Sequence, residues 1–190
     1  MAHKFNPEHL EKLRDPGRLV DLNPEIMWQK LDLAQTEVLV DVGAGVGIFA
    51  EQFADRMENG KIYACDIAPQ MIDFMNNQLS AEYKQKIIPL QTAEWAIDLP
   101  SATADLVYAI CLYHELADTN RSLGEFDRLL KPGAKLMVVD WKRQSTPHGP
   151  PVTHRVAATE AKAQVEAAGF LGVTSYDDLP HHWMLVAQKA

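Results

Sequence analysis

Apolar residues along this chain fall into two alternating regimes. One consists of short continuous runs bounded by turn residues, and the other of stripes spaced three to four residues apart. The short runs Val38–Val42, Lys61–Cys65, Ile87–Gln91, Ala104–Ile110 and Lys135–Asp140 read as buried strands. Between them, Ile48–Met57, the segment after Pro69 and Leu123–Leu130 carry helical stripes, with Pro69 placed in a first turn. Ala157–Ala168 is an alanine-rich helix closed by Gly169, and Val173–Tyr176 with Trp183–Ala187 reads as a terminal antiparallel pair. Ahead of all this lie two helical pieces, Pro7–Arg14 and Pro24–Leu31, separated by the Asp15-Pro16-Gly17 turn. Strands alternating with helices predict an α/β fold, a doubly wound sheet with ligands at the carboxyl ends of its strands.

Composition narrows the picture. At 190 residues the chain is long enough for one substantial core, so we read 1–190 as one domain, with a helical leader over 1–36 and a core over 37–190. No apolar run approaches the length of a membrane span. The N-terminal Met-Ala-His-Lys-Phe-Asn-Pro has neither an apolar signal core nor the look of a transit peptide, which predicts a cytoplasmic protein. A net charge of −8 opposes a phosphate backbone, so nucleic acid is a disfavoured partner.

The chemistry concentrates at Val38-Leu-Val-Asp-Val-Gly-Ala-Gly-Val-Gly47. A strand runs into Asp41, and Gly43, Gly45 and Gly47 follow at alternate positions before a helix starts. Glycine tolerates positive φ and close approach of a ligand to the backbone, so such a turn can hold a nucleotide or amino-acid ligand. The dinucleotide fingerprint would need glycine or alanine where Ile48 stands. Asp66, at the tip of the next strand and 25 residues after Asp41, is placed to accept hydrogen bonds from both hydroxyls of an adenosine ribose. Aspartate there also suits a helix N-cap.

The D-x-G-x-G-x-G pattern, with Asp66 behind it, resembles the class I S-adenosylmethionine-dependent methyltransferases. So do Asp105-Leu-Val in the fourth strand, the segment Cys111-Leu-Tyr-His114-Glu-Leu and the Lys131-Pro-Gly-Ala134 junction, where alanine replaces the family's second glycine. The likeness is to a small group similar to the ubiquinone/menaquinone-biosynthesis and arsenite methyltransferases. It implies a Rossmann-like seven-stranded sheet in the order 3-2-1-4-5-7-6 with the last strand antiparallel, and S-adenosyl-L-methionine as cofactor. It also implies that Asp41, Gly43, Gly45, Gly47, Asp66, Ile67, Met71, Ala93, Glu94 and Cys111 surround that cofactor, with Ala93 and Glu94 at the adenine edge. Glu94 equally suits a solvated loop.

The activity implied is methyl transfer to a small-molecule acceptor. The alternatives are a cofactor-binding protein without turnover, or a methyltransferase acting on RNA or protein. His114, beyond the fourth strand, and Asp140, at the tip of the fifth, are the catalytic candidates: a carboxylate beside an imidazole raises its pKa and fixes its tautomer. His114 equally suits a structural or capping role. Cys65 and Cys111 end strands that the expected order separates by a third, which disfavours a thiolate pair for arsenite or a metal. The seven histidines show no metal spacing, and the adjacent His181 and His182 should point to opposite faces of a strand. With no large insertion, the acceptor pocket should be built from the leader and the loop between Trp141 and Val156. Tyr113, Trp141 and Trp95 are its candidate aromatic lining, with at least one of them expected in the core.

Overall fold

The computed structural model describes residues 10–33 and 37–190. Its centre is a seven-stranded sheet of β1 (Val38–Val42), β2 (Lys61–Asp66), β3 (Ile87–Gln91), β4 (Ala104–Ile110), β5 (Leu130–Trp141), β6 (Leu171–Tyr176) and β7 (His182–Gln188). The order is β3-β2-β1-β4-β5-β7-β6. Strands β1 to β5 pair in parallel, and β7 lies antiparallel to both β5 and β6. The fold is therefore the doubly wound α/β sheet expected, in the expected order.

Both faces of this sheet are buried, which explains why its strands read as continuous apolar runs. Successive side chains leave opposite faces. Leu39, Leu106, Tyr108, Met137 and Met184 join one cluster, with Phe49 and Phe53 on α4 (Ile48–Ala54), Met71 and Met75 on α5 (Pro69–Gln78), and Met27 and Leu31 on α3 (Pro24–Leu31). Val40, Val107, Leu136, Val138, Trp183 and Leu185 join the other, with Leu123 and Phe126 on α6 (Thr119–Leu129), and Ala161 and Val165 on α7 (Ala158–Ala167).

The leader adds α1 (Leu10–Leu13) and α2 (Gly17–Asp21) before α3. The first predicted leader helix begins at Pro7, and its portion before Leu10, like residues 34–36 at the end of the leader, lies outside the described residues. The pattern did not reveal α2, a single turn in which nothing is buried. Its first turn is organised by the Asp15 carboxylate, which accepts from the Gly17 N–H at 2.8 Å. In α3, Asn23 caps the Glu25 and Ile26 N–H groups and Pro24 occupies the first turn.

Several boundaries moved: α6 begins at Thr119 rather than Leu123, and β6 at Leu171 rather than Val173. The helix after the glycine loop ends at Ala54 rather than Met57. The Lys131–Ala134 turn is absorbed into β5 as an irregularity opposite Asp105, where the register jumps from Ala104↔Leu130 to Leu106↔Lys135. Local turn chemistry is intact, with Gly133 at φ +76°, but the flanking residues keep pairing.

Candidate functional site

The three glycines all adopt left-handed φ: Gly43 at +72°, Gly45 at +56° and Gly47 at +79°. Residues with a Cβ strain there, and Gly43 has a second constraint, since a Cβ would lie 2.9 Å from the Leu112 side chain. The N–H groups of Gly43 and Ala44 both donate to the Cys65 carbonyl at 2.9 Å, which lashes the loop to β2. Gly45 N–H donates to Asp66 Oδ2 at 2.8 Å, and Ala68 N–H donates to Asp66 Oδ1 at 2.9 Å. Asp66 thus ties loop to strand. The cap position of α5 belongs to Ala68.

Asp41 is buried, and its Oδ2 has no hydrogen-bond partner among the described residues. Burial pushes its carboxyl up to about 8, and the nearby charge of Asp66 adds to the shift. The Tyr108 hydroxyl is the neighbouring polar group and offsets part of that rise, although its geometry among the described residues falls short of a formed hydrogen bond. An orphaned carboxylate oxygen beside a loop of left-handed glycines is what a bound polar ligand would complete.

Both features open onto one cavity of about 1640 Å³ at the carboxyl ends of β1, β2 and β4. Single ligand pockets typically enclose about 300–1,000 Å³, so this one has room for two small molecules. Asp41, Gly43, Gly45, Asp66, Ile67, Met71, Ala93, Glu94 and Cys111 all line it, as does His114. Gly47 does not. It starts α4 and packs on α5, where a Cβ would meet Met75 Sδ at 3.0 Å.

Asp140 is also off the cavity wall, wholly buried behind His114. His114 Nδ1 lies 2.8 and 3.0 Å from the two Asp140 oxygens, and the His114 backbone N–H donates to Oδ2 at 3.0 Å. The Trp141 N–H donates to Oδ1 at 2.6 Å. With Nδ1–H donating to the carboxylate, Nε2 is left as the basic nitrogen. Burial by itself would lower the His114 pKa, but the hydrogen bond and charge of Asp140, with Glu115, outweigh it and the net shift is upward. The spacing of strands four and five brings these residues together as the sequence suggested.

Of the aromatic candidates, Trp95 and Trp141 line the cavity and Tyr113 does not. Tyr113 is core, edge-on to Trp183, with its hydroxyl donating to Gln164 Oε1 at 2.8 Å. Burial holds both cysteines as thiols, Cys111 with its pKa pushed up to about 12 and Cys65 pushed up further. The strand β1 lies between those that carry them.

Much of the remaining wall comes from the two segments expected, while Leu116 and Ala117 after β4 and Ser122, Glu125 and Phe126 of α6 add a side that was not expected. Leu13, Gly17, Arg18 and Asp21 contribute from the leader, and His148–Pro151 with His154 from the loop after β5. The two meet where His148 Nε2 lies 2.8 Å from Asp21 Oδ2. Buried Arg155 holds the loop's shape by donating to the carbonyls of Pro150, Lys142 and Gln144 and to Thr146 Oγ1. Arg18 and His182 were not singled out for this cavity by sequence reasoning. Neither sits in a spacing motif, and both reach the cavity only through tertiary packing.

A methyltransferase domain family matches residues 40–136, just over half of the chain. The chain is similar to a crystal structure of an S-adenosylmethionine-dependent methyltransferase from Aquifex aeolicus. The two are 28% identical with a TM-score of 0.92, over 98% of this chain and 100% of that one. It is also similar to a demethylmenaquinone methyltransferase from Thermus thermophilus, 25% identical over 66% of this chain and 59% of that protein. The chain spans 54 to 59% of the length of the first curated relatives it matches. The [4+2]-cyclase SpnF shares the fold at a TM-score of 0.73 and 16% identity, over 89% of this chain and 80% of that one.

Proposed function

This chain belongs to the methyltransferase domain family, and from that premise we propose that it transfers the methyl group of S-adenosyl-L-methionine to a small-molecule acceptor. Its cofactor is S-adenosyl-L-methionine. When bound, that molecule supplies a methyl group already activated by a sulfonium. The reading rests on one observation above the rest: the glycine loop with Asp66 and the His114 ring, held from behind by buried Asp140, face the same cavity, which has room for two ligands.

In this reading Gly43 and Gly45 let the cofactor approach the backbone, and Asp66 holds the ribose hydroxyls while its bonds to Gly45 and Ala68 keep it in place. Asp41 offers its free oxygen to the polar end, Ile67 and Met71 pack along the cofactor, and Ala93 and Glu94 border the adenine. Cys111, at φ +56° and with its N–H donating to Val139, shapes the wall near the transferred methyl. Gly47 contributes through the start of α4.

No covalent nucleophile is needed. Holding acceptor and methyl in line supplies effective molarities of about 10⁵–10⁸ M. His114 Nε2 removes the acceptor's proton and Asp140 holds the ring in the tautomer that does so. A small acceptor is the reading supported by the contact of leader and loop at Asp21 and His148. The Thermus relative's name points to a quinone-type acceptor. We treat residues 1–190 as the methyltransferase domain. Among the described residues no helix is long and apolar enough to cross a membrane.

The fold is shared with a cyclase, so binding and turnover need separate tests. Calorimetry should show S-adenosylmethionine and S-adenosylhomocysteine binding with micromolar affinity and NAD not measurably. Turnover is then read as S-adenosylhomocysteine release across a metabolite collection. A preference for NAD would overturn the reading, and tight cofactor binding with no release on any acceptor would leave a binding protein.

A further inference from the structure

The wall of the cavity formed by the first residue of β7 has no role in the scheme above. His182 is 1% exposed, lines the cavity, and has no hydrogen-bond partner for either ring nitrogen among the described residues. An imidazole buried in that state costs free energy in the unliganded protein, so its retention on a cavity wall points to a ligand that completes it. The ring lies against Trp141, with centroids 4.1 Å apart, directly across the β5–β7 pairing. Trp141 in turn follows Asp140, so His182 sits one residue along from the pair that holds the proposed base.

Two permanent charges that act on this ring, Arg18 and Arg155, are cationic, and Arg155 lies 5.0 Å over the Trp141 ring against which His182 packs. Burial pushes the His182 pKa down to about 3, and His181, Arg18, His148 and Arg155 push in the same direction. The ring is therefore neutral, keeps one N–H to donate, and stands near the guanidinium groups of Arg18 and Arg155. Of the cavity's acidic groups, Asp41 belongs to β1 and Asp66 to β2, Asp15 caps Gly17, Asp21 is engaged by His148, Glu94 follows β3, Glu115 lies beside His114, and Glu125 is paired with Arg128.

We propose that His182 is the specificity-determining residue of the acceptor site, donating its N–H to an ionised oxygen, a carboxylate or enolate-type group, on the molecule to be methylated. The proposal rests on the methyl-transfer reading and deepens it. A neutral donor in a positive field stabilises an oxyanion and repels an ammonium. It also complements a base at His114, since an acceptor that loses a proton there becomes the species the field favours.

The test uses the full chain saturated with S-adenosylhomocysteine and two probes of equal bulk, 2-naphthoate and 2-naphthylmethylammonium, followed by calorimetry. The parent should bind naphthoate about tenfold or more tightly than the ammonium, the scale of one hydrogen bond to a charged group. His182→Phe should bring that ratio close to one with S-adenosylhomocysteine affinity unchanged, and His182→Gln, whose amide still donates, should restore most of it. Equal binding of the two probes by the parent, binding of neither, or a ratio that survives in His182→Phe would overturn the proposal. Failure of S-adenosylhomocysteine itself to bind the parent would overturn the methyl-transfer reading beneath it.

Discussion

The two ends of the cavity are built by different means. At the β1–β2 end the groups presented are mostly backbone, set by glycines within a few residues of one another and by one aspartate at the next strand tip. At the β4–β5–β7 end they are side chains from four distant segments: His114, Trp141 over buried Asp140, His148 against Asp21, and His182. A backbone cradle tolerates variation in every side chain except the glycines and can serve one constant ligand. A wall of converging side chains can be exchanged piece by piece, which suits the ligand that differs between relatives.

The comparison breaks most sharply at His114. His114→Ala should lower turnover by about 10²–10⁴ with cofactor affinity nearly intact. Equal rates in parent and variant across pH 6–9 would reduce His114 to a positioning residue. In the parent, the rate should rise with pH as His114 loses its proton, and Asp140→Asn should move that limb to lower pH by removing the charge that raises the histidine. The stabilisation His114 draws from Asp140 has the opposite dependence. A histidine raised on folding gives stability that is complete below its unfolded pKa and is lost as pH climbs through the folded one.

Asp66→Ala probes the opposite end. It should cost about 1.5–3 kcal/mol of cofactor affinity by removing hydrogen bonds to an ionised group, and it also frees the Gly45 and Ala68 N–H groups. Titration that finds a folded variant binding as tightly as the parent would leave Asp66 a purely structural tie. Gly43→Ala should cost about 1–3 kcal/mol of stability, since alanine is strained at φ +72° and its Cβ meets Leu112, which must swing toward the cavity. Denaturant melts read this directly. A Gly43→Ala variant as stable as the parent would show that the loop relaxes.

The smallest effect expected is at Asp41. Its carboxyl is raised to about 8, so between the unfolded value near 4 and pH 8 the folded chain holds the extra proton and stability falls as pH rises. Asp41→Asn should therefore raise the stability of the unliganded chain above pH 8 by about 1 kcal/mol, the low end of the cost of an unsatisfied buried group. The same variant should weaken cofactor binding. Cofactor binding to the parent near pH 7 should release a proton, visible as a dependence of the calorimetric heat on the buffer's ionisation enthalpy.

The fold was legible because its signals are short-range. A buried strand such as Val38–Val42 or Ala104–Ile110 announces itself as an apolar run, and a left-handed position such as Gly45 demands one residue type. The β1–β2 half of the site is made of such signals, and the Asp41-to-Asp66 spacing measures the glycine turn, one helix and one strand. Even so, Gly47 shares the spacing of Gly43 and Gly45 while facing α5, because only the packing of α4 on α5 decides which way a loop residue turns.

The sequence by itself determined the alternation of strands and helices and the glycine turn, since each follows from steric and periodic rules acting over a few residues, while the adjacency of His114 and Asp140 followed from the strand order that the family resemblance implied. Only the tertiary structure decided that Tyr113 is core while Trp141 faces the cavity, that Arg18 reaches across from the leader, and that His182 is buried with no hydrogen-bond partner among the described residues. Those outcomes depend on which side chains arrive from elsewhere in the chain to supply or withhold a contact. No local pattern records that, because burial and hydrogen bonding are properties of the assembled neighbourhood.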